Sequence, residues 1–242
     1  MNGRHVQGVS TAMTIHRPGL PGDLPPAEVL WAHWALVAVL EASTEAEGLG
    51  VHRTGHWIDD EGLHLDDCGC TWWTFAPVGG GRYVLYGEDE SSAVKWHEPA
   101  VDMLAGGPDW LPYETLRDLA GSWELGCVYW SADGTWARAP YPQDLDDDGL
   151  DCGMSRFTER PDFLNLLLHG TWDGCRCAPF EEREETAAAL LDAAVRRELT
   201  PGALEDVVAG CSCGRWDLPA MLRALGLSGL AQGSPAAPPV RG

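Results

Sequence analysis

Three Cys-x-Cys pairs stand out in the sequence: Cys68/Cys70, Cys175/Cys177 and Cys211/Cys213, with Cys127 and Cys152 alone. Thiolates hold zinc at about 2.3 Å, most readily when two to four residues separate the ligands. A one-residue spacer is less favourable, and in a strand it puts both sulfurs on the same face. Cys175, Cys177, Cys211 and Cys213 bracket a helical stretch and form the candidate zinc set. Helix lengths argue the other way. Residues 181–199 would span about 28 Å and 201–209 about 13 Å, so the two pairs need not meet. Ordinary buried thiols are the plainer reading.

Asp144, Asp146 and Asp148, followed by Gly149, match positions one, three, five and six of a calcium loop. Carboxylates at those positions supply oxygens, and the glycine permits the sharp turn. Position twelve should be a bidentate Glu and is Ser155, and Pro140 and Pro142 deny the loop an incoming helix. A solvated acidic loop is the simpler expectation. His52, His56, His64 and Cys68 are spaced by four, eight and four, which would group them on a helix; their segment reads as strand, where the spacing has no such meaning. Asp59-Asp60, Asp66-Asp67 and Glu88-Asp89-Glu90 could supply the two carboxylates of a glycosidase, but such pairs are common on a chain this acidic. The sequence has no Gly-x-Ser-x-Gly, phosphate-binding loop, dinucleotide fingerprint or His-Glu-x-x-His.

Tryptophan is the other anomaly, with 12 against 4 phenylalanines. Eight of them fall between residues 57 and 136. Adjacent Trp72 and Trp73 in a strand must point to opposite faces, so one is expected in the core and the other either exposed or covered by a helix. Exposed indoles beside carboxylates suit either a protein-binding hot spot or a sugar-stacking surface. Glu88, Asp89, Glu90, Trp96 and Trp73 are the candidate binding residues, with the 144–151 acidic stretch beside them.

The charge balance narrows the partners. Against 37 acidic residues stand 16 basic ones, Lys95 being the single lysine, for a net charge of −21. A nucleic-acid binder needs cations to displace counterions from phosphate, so that class is disfavoured. The longest apolar run, about 12 residues from 29 to 40, falls short of the roughly 20 that span a bilayer. The first 26 residues lack the apolar core of a secretory signal. The expected location is the cytoplasm, where cysteines are thiols or metal ligands rather than disulfides. Scarce Lys, Asn and Ile with abundant Ala, Gly and Pro is the usage of a GC-rich genome.

These residues need elements to position them. Pro26 opens a helix expected to run to about residue 47, stopped by Gly48. Aromatic and β-branched runs flank Gly79-Gly80-Gly81 and again Ala132-Asp133-Gly134, predicting two hairpins. Residues 112–121 read as a short helix. Beyond 157 the strands stop, and helices are expected at 157–169, 181–199, 201–210 and 217–225. The fold class is α+β: a mainly antiparallel sheet built from hairpins with helices on one face, followed by a small C-terminal helical appendage. The expected organisation is a flexible arm over 1–26, an α+β core over 27–156, helices over 157–226 and a disordered tail over 227–242.

The segments HWALVAVLEAS (33–43), RYVLYGEDESSAVKW (82–96), VDMLAGGPDWLP (101–112) and WELGCVYW (123–130) resemble an uncharacterised actinobacterial family that carries the automatic label "proteophosphoglycan". The label implies a Ser/Thr-rich phosphoglycosylated stalk, which this chain lacks. The resemblance covers the sheet region, not the helical one, and implies no catalytic residue. The leading functional expectation is a non-enzymatic interaction module for a basic protein partner, resembling immunity proteins by analogy of charge. A metal-dependent (zinc or calcium) enzyme or metal-stabilised protein, and a carbohydrate-binding module, are the alternatives.

Overall fold

The computed structural model describes residues 15–44, 54–67, 69–172, 177–212, 214 and 216–232. Strands β1 (Gly55–Ile58), β2 (Leu63–Asp66), β3 (Thr71–Gly79), β4 (Arg82–Asp89), β5 (Cys127–Ala132) and β6 (Thr135–Arg138) form one antiparallel sheet in sequence order. Helix α1 (Ala27–Glu41) precedes the sheet and α2 (Tyr113–Gly121) lies between β4 and β5. Helices α3 (Leu150–Thr158), α4 (Arg160–Leu166), α5 (Phe180–Val195), α6 (Pro201–Ala209) and α7 (Leu218–Ser228) follow. The class is α+β, as the hairpin and helix signals indicate. Both predicted hairpins form, the second turning at Asp133 and Gly134, each with positive φ.

Side-chain alternation along the strands divides the sheet's two faces. Trp73, Phe75, Leu85, Tyr129 and Trp136 face one apolar cluster, whereas Val84, Val128 and Trp130 face a second. The first contains α1, which is buried on every side from Leu30 to Leu40. A helix apolar all round belongs in an interior, and α1 lies between the sheet edge and α5 and α7. The helices beyond residue 157 therefore share one continuous core with α1 and the sheet. The second face is covered by α2 and the chain leading to it, through Val94, Met103, Leu111 and Leu116.

Three boundaries differ from the sequence reading. Helix α1 stops at Glu41 and passes into a short 3-10 turn, while residues 45–53 lie outside the described residues. The expected flexible arm is packed from residue 15 onward. Ile15 is buried, Asp23 accepts from the His16 and Leu20 amides, and Trp136 Nε1 donates to the Pro25 carbonyl at 2.7 Å. Residues 1–14 lie outside the described residues. The tail is likewise ordered at its start: Leu230 is buried and its carbonyl accepts from the Leu199 amide at 3.1 Å; residues 233–242 are outside the described set. No helix among the described residues is long and apolar enough to cross a membrane.

Candidate functional site

Strand β4 ends at Asp89, and a 3-10 turn at Val94–Trp96 follows at once. Across from that turn, α2 ends at Gly121 and the chain re-enters the sheet at β5. These two turns bring together Trp96 and Trp123, with ring centroids 5.4 Å apart and planes at 51°. They are the most exposed large hydrophobic residues described, at 71% and 57%. Lys95 joins the turns: its Nζ donates to Glu88 Oε1 and, at 2.8 Å, to the Trp123 carbonyl. The single lysine of the chain is thus half-buried and engaged by these two acceptors rather than displayed on the surface.

The backbone under Trp123 is the unusual element. Its φ is +62°, in the left-handed region that disfavours residues carrying a Cβ. The conformation follows from the end of α2. The Glu124 amide donates to the Leu119 carbonyl at 3.0 Å and the Trp123 amide to the Ala120 carbonyl at 3.3 Å, the pattern of a left-handed helix C-cap, where glycine is usual. A tryptophan occupies that position here. Left-handed non-glycine residues persist where their surroundings hold them and concentrate at functional sites. Arg197 takes the same position after α5, with φ +55°, so the geometry alone is not unique; its combination with an exposed, paired indole is.

Acidic side chains rim the pair. Glu98, two residues from Trp96, and Glu124, next to Trp123, are exposed. His97, next to Trp96, donates through Nδ1 to the Pro99 carbonyl at 2.8 Å and meets Asp144 through Nε2 at 3.2 Å. The carbonyl acceptor and the Asp144 carboxylate hold the His97 pKa above its ordinary value, and His97 in turn holds Asp144 below the usual carboxylate range. The Ala93 amide also donates to the Asp147 carbonyl at 3.0 Å. The two acidic stretches named in the sequence therefore converge on this one surface.

Of the candidate binding residues, Trp96 forms the exposed pair and Glu88 supports it through Lys95; Glu90 instead follows β4 with its amide donating to the Cys70 carbonyl at 2.9 Å, and Asp89 and Trp73 lie away from the pair. Asp89 points inward and accepts from the Thr71 hydroxyl and, at 2.9 Å, the Ser91 amide. Burial raises its pKa, but these bonds outweigh burial and hold the carboxyl below its ordinary value. Trp73 is fully buried on the α1 face, where a Cβ on Gly153 of α3 would come within 2.1 Å of its Nε1. The more accessible member of the adjacent pair is Trp72, edge-on to Tyr86. Trp123 was the residue the sequence reading missed as a site residue.

The calcium candidates diverge. Asp144 is exposed and engaged with His97, and Asp146 is exposed, but Asp148 is fully buried. Asp148 accepts from the Gly19 amide at 2.9 Å and lies 2.7 Å from the Tyr129 hydroxyl. Its surroundings are hydrogen-bond donors of the chain itself, so it anchors the N-terminal segment to the sheet. Burial pushes its pKa up despite those bonds. Leu150, which would be position seven, already starts α3. Two of the other carboxylate candidates are also engaged locally: Asp59 with His64 at 2.9 Å, and Asp67 with the Thr71 amide at 2.8 Å.

The cysteine pairs depart from expectation in the opposite sense. Cys177 Sγ and Cys211 Sγ lie 3.4 Å apart. The helix-length argument left out the turns. Helices α5 and α6 differ in length by about 11 Å, a gap that the turns before α5 and after α6 can close. Cys68, Cys175, Cys213 and His52 lie outside the described residues. Among the described residues no group of three metal-binding side chains converges. No protein-family model, no curated protein and no solved structure matches this chain.

Proposed function

We propose that this protein is a non-enzymatic interaction module, and that the Trp96–Trp123 pair with its acidic rim receives a cationic segment of a protein partner. The observation that carries the reading is an exposed indole held in a left-handed C-cap by the chain's one lysine, against a second exposed indole. Burying Trp123 and placing glycine at the C-cap would both stabilise the monomer, so the arrangement serves something other than the fold. Indole faces attract guanidinium and ammonium groups by about 0.5–2 kcal/mol, depending on desolvation. A net charge of −21 draws such a segment in from a distance. Glu88, neutralised by Lys95, supports the site rather than the charge of the rim.

The test is a titration followed through the indole Nε1–H resonances of the full chain, with an arginine-rich peptide in one arm and a neutral oligosaccharide in the other. The expected result is that the peptide shifts Trp96 and Trp123 selectively and that the shifts vanish in the W96A/W123A variant. Shifts with the oligosaccharide and none with the peptide would replace this reading by a carbohydrate-binding one.

A further inference from the structure

A second location, separate from the indole pair, has the makings of a metal site. Cys177 precedes α5 and Cys211 follows α6, and both line a small cavity of about 150 Å3 with Trp172, Arg183 and Asp206. The 3.4 Å between their sulfurs is far beyond the roughly 2.05 Å of a disulfide. Two thiolates bonded to one tetrahedral zinc at about 2.3 Å stand about 3.8 Å apart, so small adjustments would seat both on one ion. Arg183 Nε is buried there without a hydrogen-bond partner, a cation placed beside groups that would carry negative charge once deprotonated. Trp172 packs edge-on against Trp216 at 5.6 Å, linking the chain before Cys177 to the chain after Cys211.

We propose that Cys177 and Cys211 are two thiolate ligands of one zinc ion that staples the segment entering α5 to the segment leaving α6. Each thiol releases its proton to solvent as the sulfur takes the metal. The sequence supplies two more thiols, Cys175 and Cys213, each separated by a single residue from a described ligand. The inference is independent of the partner-binding surface.

The experiment is elemental analysis of the full chain purified under reducing conditions, with C177S, C211S and the double variant beside it. Exposed Cys70 and Cys152 serve as controls through C70S and C152S. The expected result is one zinc per chain, kept in the controls and lost in C177S and C211S. Should those variants fail to fold, the wild-type chain is stripped of metal and titrated with cobalt(II), whose thiolate charge-transfer and tetrahedral d–d bands report the same ligands. The proposal is overturned by zinc retained at full stoichiometry in the double variant. It is equally overturned by a metal-free wild-type chain that gives no thiolate–cobalt band, or by an intact mass showing a Cys177–Cys211 disulfide in its place.

Discussion

Replacing Trp123 by glycine and, separately, by alanine divides its backbone from its side chain. Both substitutions remove the indole and its contact with Trp96, a pair worth about 0.5–1.5 kcal/mol at most. Only glycine also relieves the left-handed backbone at φ +62°, which costs a residue bearing a Cβ about 1–2 kcal/mol. Glycine gives back about 0.5–1 kcal/mol through its larger unfolded-state entropy. At the midpoints of these ranges W123G should therefore be more stable than W123A by about 0.75 kcal/mol, or about 1.5–3 °C in Tm for a chain of this length. Urea unfolding monitored by far-UV circular dichroism reads the difference directly. Binding of an arginine-rich peptide should be weakened equally in both, because both lack the ring. If alanine matches or exceeds glycine in stability, residue 123 is not left-handed in solution and the argument for a functionally retained tryptophan fails.

Three further outcomes follow from the buried contacts. G153A should destabilise the fold by about 1–3 kcal/mol in urea unfolding, although alanine is the better helix former, since its Cβ would collide with the Trp73 indole. D148A should cost about 2–4 kcal/mol, because the Gly19 amide and Tyr129 hydroxyl lose a buried partner; limited proteolysis should then cut within residues 15–24. His33 is buried, bonded to the Phe157 carbonyl at 2.8 Å and stacked on Phe163, and burial lowers its pKa. Its folded pKa is below the unfolded value of about 6.5, so its contribution is complete above that value and is lost as the pH falls below it and through the folded pKa. Urea midpoints should drop between neutral and mildly acidic pH in the wild type, and less so in H33Q.

The hairpins were legible because their turns carry glycine and their strands carry aromatic and β-branched residues. Helix α3 was not, although Leu150, Met154 and Phe157 mark an apolar face, because an acidic loop with calcium-like spacing runs straight into it and Gly153 interrupts it. That glycine answers a long-range demand, room for the Trp73 ring, which no local pattern displays. Period-two alternation required Trp72 and Trp73 to part, but which one faces the core depends on where α1 and α3 lie. The rim around Trp96 was readable from charge and composition. Trp123 was hidden because glycine is the usual signal of a helix C-cap, and here Gly121 sits inside the helix while a tryptophan takes the cap. The Cys177–Cys211 contact depends on how two turns fold back, and counting helix lengths missed it.

The most direct test of the partner-binding reading is a stopped-flow measurement of arginine-rich peptide association and dissociation at low and physiological ionic strength, for the wild type and W96A. Rim charge acts on the encounter and the rings act on residence. The expected result is an association rate that falls steeply with salt, and a dissociation rate several-fold faster in W96A. A salt-insensitive association rate together with an unchanged dissociation rate in W96A would contradict it.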